Sequence, residues 1–147
     1  MSYFWITGRD KRTTFMIKNI PNKYTYTMLK ESIDATHAKT YDFLYLRMDY
    51  ENKCNHGYAF INFIDYRSVI SFAHARVGHR WNRFNSDKRC ELAYATCQGR
   101  ENLIAKFRNS TVMDQQESYR PKLYISWGPN RGKEEASEIK ASSIAKV

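Results

Sequence analysis

The sequence predicts an α+β fold of the ferredoxin-like kind, β-α-β-β-α-β: a four-stranded antiparallel sheet packed on two helices, with a C-terminal helical extension. Three observations predict it. Residues 56–63 read His-Gly-Tyr-Ala-Phe-Ile-Asn-Phe, a strand whose alternation sends Ala59, Ile61 and Phe63 to one face and Tyr58, Phe60 and Asn62 to the other. Residues 15–20, Phe-Met-Ile-Lys-Asn-Ile, place Phe15, Ile17 and Ile20 inward and put the polar Asn19 before a turn. The interval between these two segments suits one helix and one strand, as that order of elements requires.

Each element has a local cause. Pro21-Asn22 turns the chain, and Thr25 is a candidate N-cap for a helix over about residues 26–35, with Leu29 and Ile33 as its core stripe. The second strand covers about residues 41–48, with Leu44, Leu46 and Met48 inward and Phe43, Tyr45 and Arg47 outward beside Tyr58 and Phe60. A polar run from Asp49 to Asn55 leads into the third strand. Asp65 caps a second helix, about residues 66–77, whose Val69, Phe72, Ala73 and Val77 share a face. A basic, aromatic stretch through Arg80, Trp81, Arg83 and Phe84 precedes the fourth strand, Cys90 to Ala95. There Leu92 and Tyr94 point inward, and Glu91, Ala93 and Ala95 outward.

The domain so defined occupies residues 13–96. A lead-in, 1–12, is expected to pack on it, because Tyr3, Phe4, Trp5 and Ile6 are too apolar for a solvated arm. The chain does not turn linker-like after residue 96. Leu103, Ile104 and Phe107 recur at helical spacing, Val112 and Met113 continue the apolar run, and Lys122 to Trp127 is strand-like. Residues 97–127 are therefore expected to fold with the domain as an extension with a third helix, placed so that Tyr58 and Phe60 stay open. From residue 128 the composition turns small and polar, and 128–147 is expected to be a flexible tail.

The outward face carries the chemistry. Tyr58 and Phe60 stand about 7 Å apart along the strand. Rings at that separation can stack successive unpaired nucleobases, which every base tolerates because each has a π-face. The alternative is a strand buried on both faces, the commoner fate of strand aromatics. Residues 56–63 also match the first ribonucleoprotein signature of the RNA-recognition motif at every position but the first, with Ile61 in the Val slot and His56 in place of Lys or Arg. Residues 15–20 fit the second signature, with Met16 where an aromatic is usual. A thioether can lie against a base but has no flat π-surface. His56 is a weaker cation than the usual Lys or Arg. Tyr45 and Arg47 can replace what Met16 and His56 give up. Lys18 reads as a phosphate contact or as a solvated surface lysine, and Arg100 and Lys106 as a basic widening of the groove or as solvated charge.

Composition agrees. At 147 residues and 42% hydrophobic content the chain is one globular domain with an appendage. A net charge of +9 is the footprint of a polyanion binder, or merely a basic surface. Cys54, Cys90 and Cys97 form no C-x-x-C pair, and the histidines have no ligand spacing with them, so neither a metal site nor a disulfide framework is expected. No cofactor is called for. No apolar run approaches the ~18 residues of a membrane span, and Tyr3 to Ile6 is too short for a signal peptide's core.

Longer strings resemble one subfamily of RNA-recognition motifs. They are Arg-Thr-Thr at 12–14, Met-Ile-Lys-Asn-Ile-Pro-Asn-Lys-Tyr at 16–24, Tyr-Asp-Phe-Leu-Tyr-Leu-Arg at 41–47 and Gly-Tyr-Ala-Phe-Ile-Asn-Phe at 57–63. Tyr-Ala at 94–95, Gln-Gly-Arg at 98–100 and Phe-Arg-Asn-Ser at 107–110 follow. Together they resemble the C-terminal motif of the mei-two-like proteins of fungi and plants, the tail suiting a fungal member. The resemblance implies a regulator of meiosis, held in the nucleus or shuttling between nucleus and cytoplasm, that binds a noncoding RNA and protects meiotic transcripts. Carried over by position, Met16, Tyr58 and Phe60 face RNA, and strand alternation adds Lys18, Tyr45, Arg47 and Asn62.

Two rival classes remain. Some folds of this kind hold peptides on a helix face or a degraded sheet, and Met16 and His56 keep open protein partners bound through the helices or the extension. Acylphosphatases share the topology, but no glycine-rich phosphate loop, Ser/His/Asp set or carboxylate pair is present in the sequence. The expected activity is binding of single-stranded RNA, not catalysis.

Overall fold

The structure is a computed structural model, and it describes residues 10–135. The chain runs β1 (Thr14–Lys18), α1 (Tyr26–His37), β2 (Tyr41–Asp49), β3 (Cys54–Phe63), α2 (Tyr66–Arg76), β4 (Glu91–Tyr94), α3 (Arg100–Phe107) and β5 (Lys122–Leu123). The strands form one antiparallel sheet in the order β4-β1-β3-β2-β5. The expected ferredoxin-like core is present. A fifth strand is added, because Lys122–Leu123 pairs with Phe43 and Leu44 on the outer edge of β2. A strand edge left open keeps its backbone donors and acceptors unsatisfied, and β5 supplies partners.

Local signals set the element ends. The Thr25 side chain accepts a hydrogen bond from the Met28 N–H at 3.2 Å, and the Asp65 side chain accepts one from the Arg67 N–H at 2.8 Å. Gly57 sits at φ +93°, a region L side chains rarely adopt, and its carbonyl accepts the Ile20 N–H at 3.0 Å. Glycine at that position thus ties the end of β1 to the start of β3.

One face of the sheet makes the main core: Phe15, Ile17, Leu44, Leu46, Ala59 and Ile61 pack on Leu29 and Ile33 of α1 and Val69 and Phe72 of α2. The opposite face carries a second apolar cluster, in which Phe43, Tyr45 and Leu123 meet Leu103, Ile104, Phe107, Val112 and Met113. The extension therefore lies across the sheet. The placement expected was one that leaves Tyr58 and Phe60 open; both stay partly exposed, and the outward rings of β2 supply the apolar surface that the α3 stripe needs.

Residues 128–135 also differ from the flexible tail expected there. Gly132 N–H bonds Ile125 O at 2.8 Å, Ile125 N–H bonds Lys133 O at 2.9 Å, and Glu135 N–H bonds Leu123 O at 2.8 Å, so the segment folds back along β5. The expected lead-in packing of Tyr3, Phe4, Trp5 and Ile6, and the tail beyond residue 135, lie outside the described residues.

One buried group makes stability depend on pH. His37 is buried, with Nε2 3.0 Å from Ser71 Oγ and its ring edge-on to Phe72 at 5.3 Å. Burial, and then the charge of Arg76, hold its pKa below the usual 6.5. The neutral form is favoured in the folded state, so stability is fully present above pH 6.5 and falls as pH drops below it. The thermal midpoint should decline between pH 7.5 and 5.5, and His37→Gln should flatten that decline. A slope unchanged in the variant would assign it to other groups.

Candidate nucleic-acid interface

The face opposite α1 and α2 is divided in two by the extension. Its covered half holds Phe43, 0% exposed, and Tyr45, 3% exposed. Phe107 stacks on Phe43 with centroids 5.8 Å apart and stands edge-on to Tyr45 at 5.1 Å. Its open half is built by β1, β3 and β4. Strand register sets Met16 between Phe60 and Ala93, and Lys18 between Tyr58 and Glu91. Met16, Tyr58, Phe60 and Ala93 are partly exposed; Lys18, His56 and Arg47 are exposed around them.

Phe60 marks the boundary. It stacks beside Tyr45 at 6.3 Å with rings 11° apart, and Tyr58 meets it edge-on at 5.8 Å. Phe107 of α3 comes within 6.4 Å, and Lys106 Nζ lies 5.6 Å from the Phe60 centroid. The cation sits within the range where it favours the negative face of a ring. The small side chain of Ala93 leaves room beside Met16, so a flat ligand reaching Phe60 would rest on a thioether and an aromatic ring.

Three residues expected to face RNA are placed otherwise. Tyr45 is sealed under α3, and burial raises its hydroxyl pKa well above the ordinary tyrosine value, with Tyr50 adding to it. Asn62, 5% exposed, is a structural hub: its Oδ1 accepts from Thr13 Oγ1 at 2.8 Å and Thr14 Oγ1 at 2.7 Å, and its Nδ2 donates to Asp42 Oδ1 at 2.8 Å. Thr14 Oγ1 in turn accepts the Gly99 N–H at 2.8 Å. The Gln98 side chain pairs with the Thr14 backbone in both directions, at 3.1 and 2.8 Å. These bonds fix where the chain leaves β4 and starts α3. Burial raises the Asp42 pKa, opposed by Asn62 and by the Arg100 charge. Arg100 itself is ion-paired with Glu135 at 2.5 Å and Glu101 at 3.3 Å, which ties the 128–135 segment to α3 and takes it out of the groove.

Strand reasoning also passed over a pair at the β4 side. The Arg12 guanidinium lies 3.6 Å from the Tyr94 ring centroid and holds the Asp10 carboxyl well below the usual carboxylate range. Arg12 precedes the first strand, where alternation gives no signal. Among the described residues, no group of three His, Cys, Asp or Glu side chains is arranged to hold a metal ion, and no helix is long and apolar enough to cross a membrane.

Residues 12–108 match the family described as RNA recognition motif 2. The chain is 61% identical over 129 residues to "Meiosis protein mei2" of Schizosaccharomyces pombe, a match covering 88% of this chain and 17% of that protein. It is 52% identical over 130 residues to "Protein MEI2-like 4" of Oryza sativa, covering 88% of this chain and 13% of that one. The chain thus spans less than a fifth of the length of these relatives. Among solved structures, "Structure of Rna15 RRM with bound RNA (GU)" superposes with a TM-score of 0.51 at 17% identity, covering 63% of this chain and 93% of that one, a likeness of fold. That family is one of RNA-recognition domains and not an enzyme family. By the extent of the family match and its identity to these relatives, the chain belongs to the RNA recognition motif 2 family, within the mei2-like proteins.

Proposed function

We propose that this domain binds single-stranded RNA on the open half of the sheet. Tyr58 and Phe60 stack bases, Met16 supports one of them, and Lys18, Arg47 and His56 meet the backbone at the rim. The observation that carries the reading is the Tyr58–Phe60 pair, which stays partly exposed beside Met16 and Lys18 although the extension covers the β2 half of the face. In the same reading the whole protein is a nuclear regulator of meiosis that binds a noncoding RNA and protects meiotic transcripts. The name of the fission-yeast relative and the long strings shared with the mei-two-like proteins support that part.

RNA should compete better as a single strand than as a duplex, because stacking needs splayed bases and A-form helices hide theirs. Affinity for a random single-stranded pool should fall with salt, with a log–log slope near −0.7 per phosphate neutralised. Equal or tighter binding of duplex RNA, or affinity insensitive to salt, would reject the sheet as a stacking surface. For the wider reading, RNA recovered with the full-length protein should be enriched in noncoding and meiotic species.

A further inference from the structure

We propose a second nucleotide site, formed by the β1–α1 turn and the hairpin between α2 and β4, that takes the RNA strand where it leaves the sheet. It rests on the reading of the sheet as an RNA surface.

The hairpin presents one ring. Its base is closed by Gly78 N–H to Cys90 O at 2.8 Å, Cys90 N–H to His79 O at 2.9 Å and a bridge between Arg80 and Arg89. At its tip Arg83, Phe84 and Asn85 take φ of 73°, 59° and 46° in succession. Left-handed backbone is uncommon for a bulky non-glycine residue, and such outliers cluster at functional sites. Phe84 is left 47% exposed, held along one edge by Tyr24 at 5.9 Å. Beneath it the Tyr24 hydroxyl donates to Asn82, and its ring stands edge-on to Trp81 at 5.7 Å. The ring is therefore anchored from below and open from outside.

Pro21, Asn22, Lys23, Ser86 and Lys88 line a groove of ≈ 310 Å³ with Phe84. Arg80 and Arg83 beside it are paired, with Asp87 at 2.9 Å and Glu31 at 3.0 Å. Lys23 and Lys88 form no ion pair among the described residues; Lys88 Nζ only reaches Ile20 O at 3.5 Å. An aromatic face between two lysines free of carboxylates suits a base with its flanking phosphates, the combination of stacking and charge that single strands use. Position names the same strand as the occupant. Lys18 lies opposite Tyr58, and Pro21 follows three residues later, a chain length on the order of 10 Å. The groove therefore opens within that reach of Lys18, at the end of β1, close enough for a strand that leaves Tyr58 to enter it.

The test compares fluorescein-labelled random RNA pools of four and nine nucleotides on the whole chain. Phe84→Ala should weaken the nine-nucleotide pool by about tenfold and leave the four-nucleotide pool within about twofold, the size of one lost stack. Phe84→Leu, which keeps the contact with Tyr24 but removes the π-face, should do the same at an unchanged thermal midpoint. Lys23→Gln with Lys88→Gln should weaken only the longer pool and lower its salt slope. If Tyr58→Ala weakens both pools while the Phe84 and lysine variants bind nine nucleotides as wild type does, the second site is overturned and the sheet reading stands. If none of these variants changes binding of either pool, both readings fall.

Discussion

Truncation after Thr96 is expected to lower the thermal midpoint by more than about 10 °C or to abolish cooperative unfolding. The extension buries Leu103, Ile104, Phe107, Val112, Met113 and Leu123, each at 7% exposure or less. Burial of such side chains contributes about 1.5–3 kcal/mol apiece, against a total of about 5–15 kcal/mol for a whole domain. Truncation also bares Phe43 and Tyr45 and strips β5 from β2. Within the full chain, Leu103→Ala should cost about 2–5 kcal/mol by the loss of contacts and the cavity left behind. Chemical denaturation of the three proteins measures this, and equal midpoints would mean that α3 rests on the sheet without stabilising it.

Replacing either signature ring should act on binding. Tyr58→Ala and Phe60→Ala are each expected to weaken single-stranded RNA by about 1–3 kcal/mol, roughly 5- to 150-fold. Phe60 also packs on Tyr45 and Phe107, so its alanine variant loses stability as well. Phe60→Leu keeps much of that packing and separates the two effects. Wild-type affinity in both folded alanine variants would exclude the open half of the sheet as the platform.

Much of the fold was legible because alternation and caps act locally. The faces of β1, β2 and β3 followed from period-two patterning, and Thr25 and Asp65 cap the helices as their neighbours in sequence predicted. Alternation says which face a side chain occupies, not what covers that face. Tyr45 lies on the predicted side and is buried there by α3. Asn62 reads as a polar contact for RNA until Thr13, Thr14 and Asp42 are seen to use its amide. The apolar spacing of Leu103, Ile104 and Phe107 showed that α3 must bury a stripe, and Phe43, Tyr45 and Leu123 were the surplus outward apolar residues able to receive it. The exposed ring of Phe84 depends on left-handed backbone at three residues that are not glycine, which composition does not announce.

The fifth strand has a consequence for how many such domains can crowd together. Strand β2 spans nine residues, and bare along its length it would template pairing with another chain. β5 pairs with Phe43 and Leu44, the Tyr124 N–H bonds Asp42 O, and residues 133–135 hydrogen-bond along β5 in turn, so this stretch of the β2 edge is occupied. An edge covered in part offers a shorter ladder for pairing, and a net charge of +9 repels like copies. Copies gathered along one polyanion would meet at high local concentration with that stretch of edge already taken.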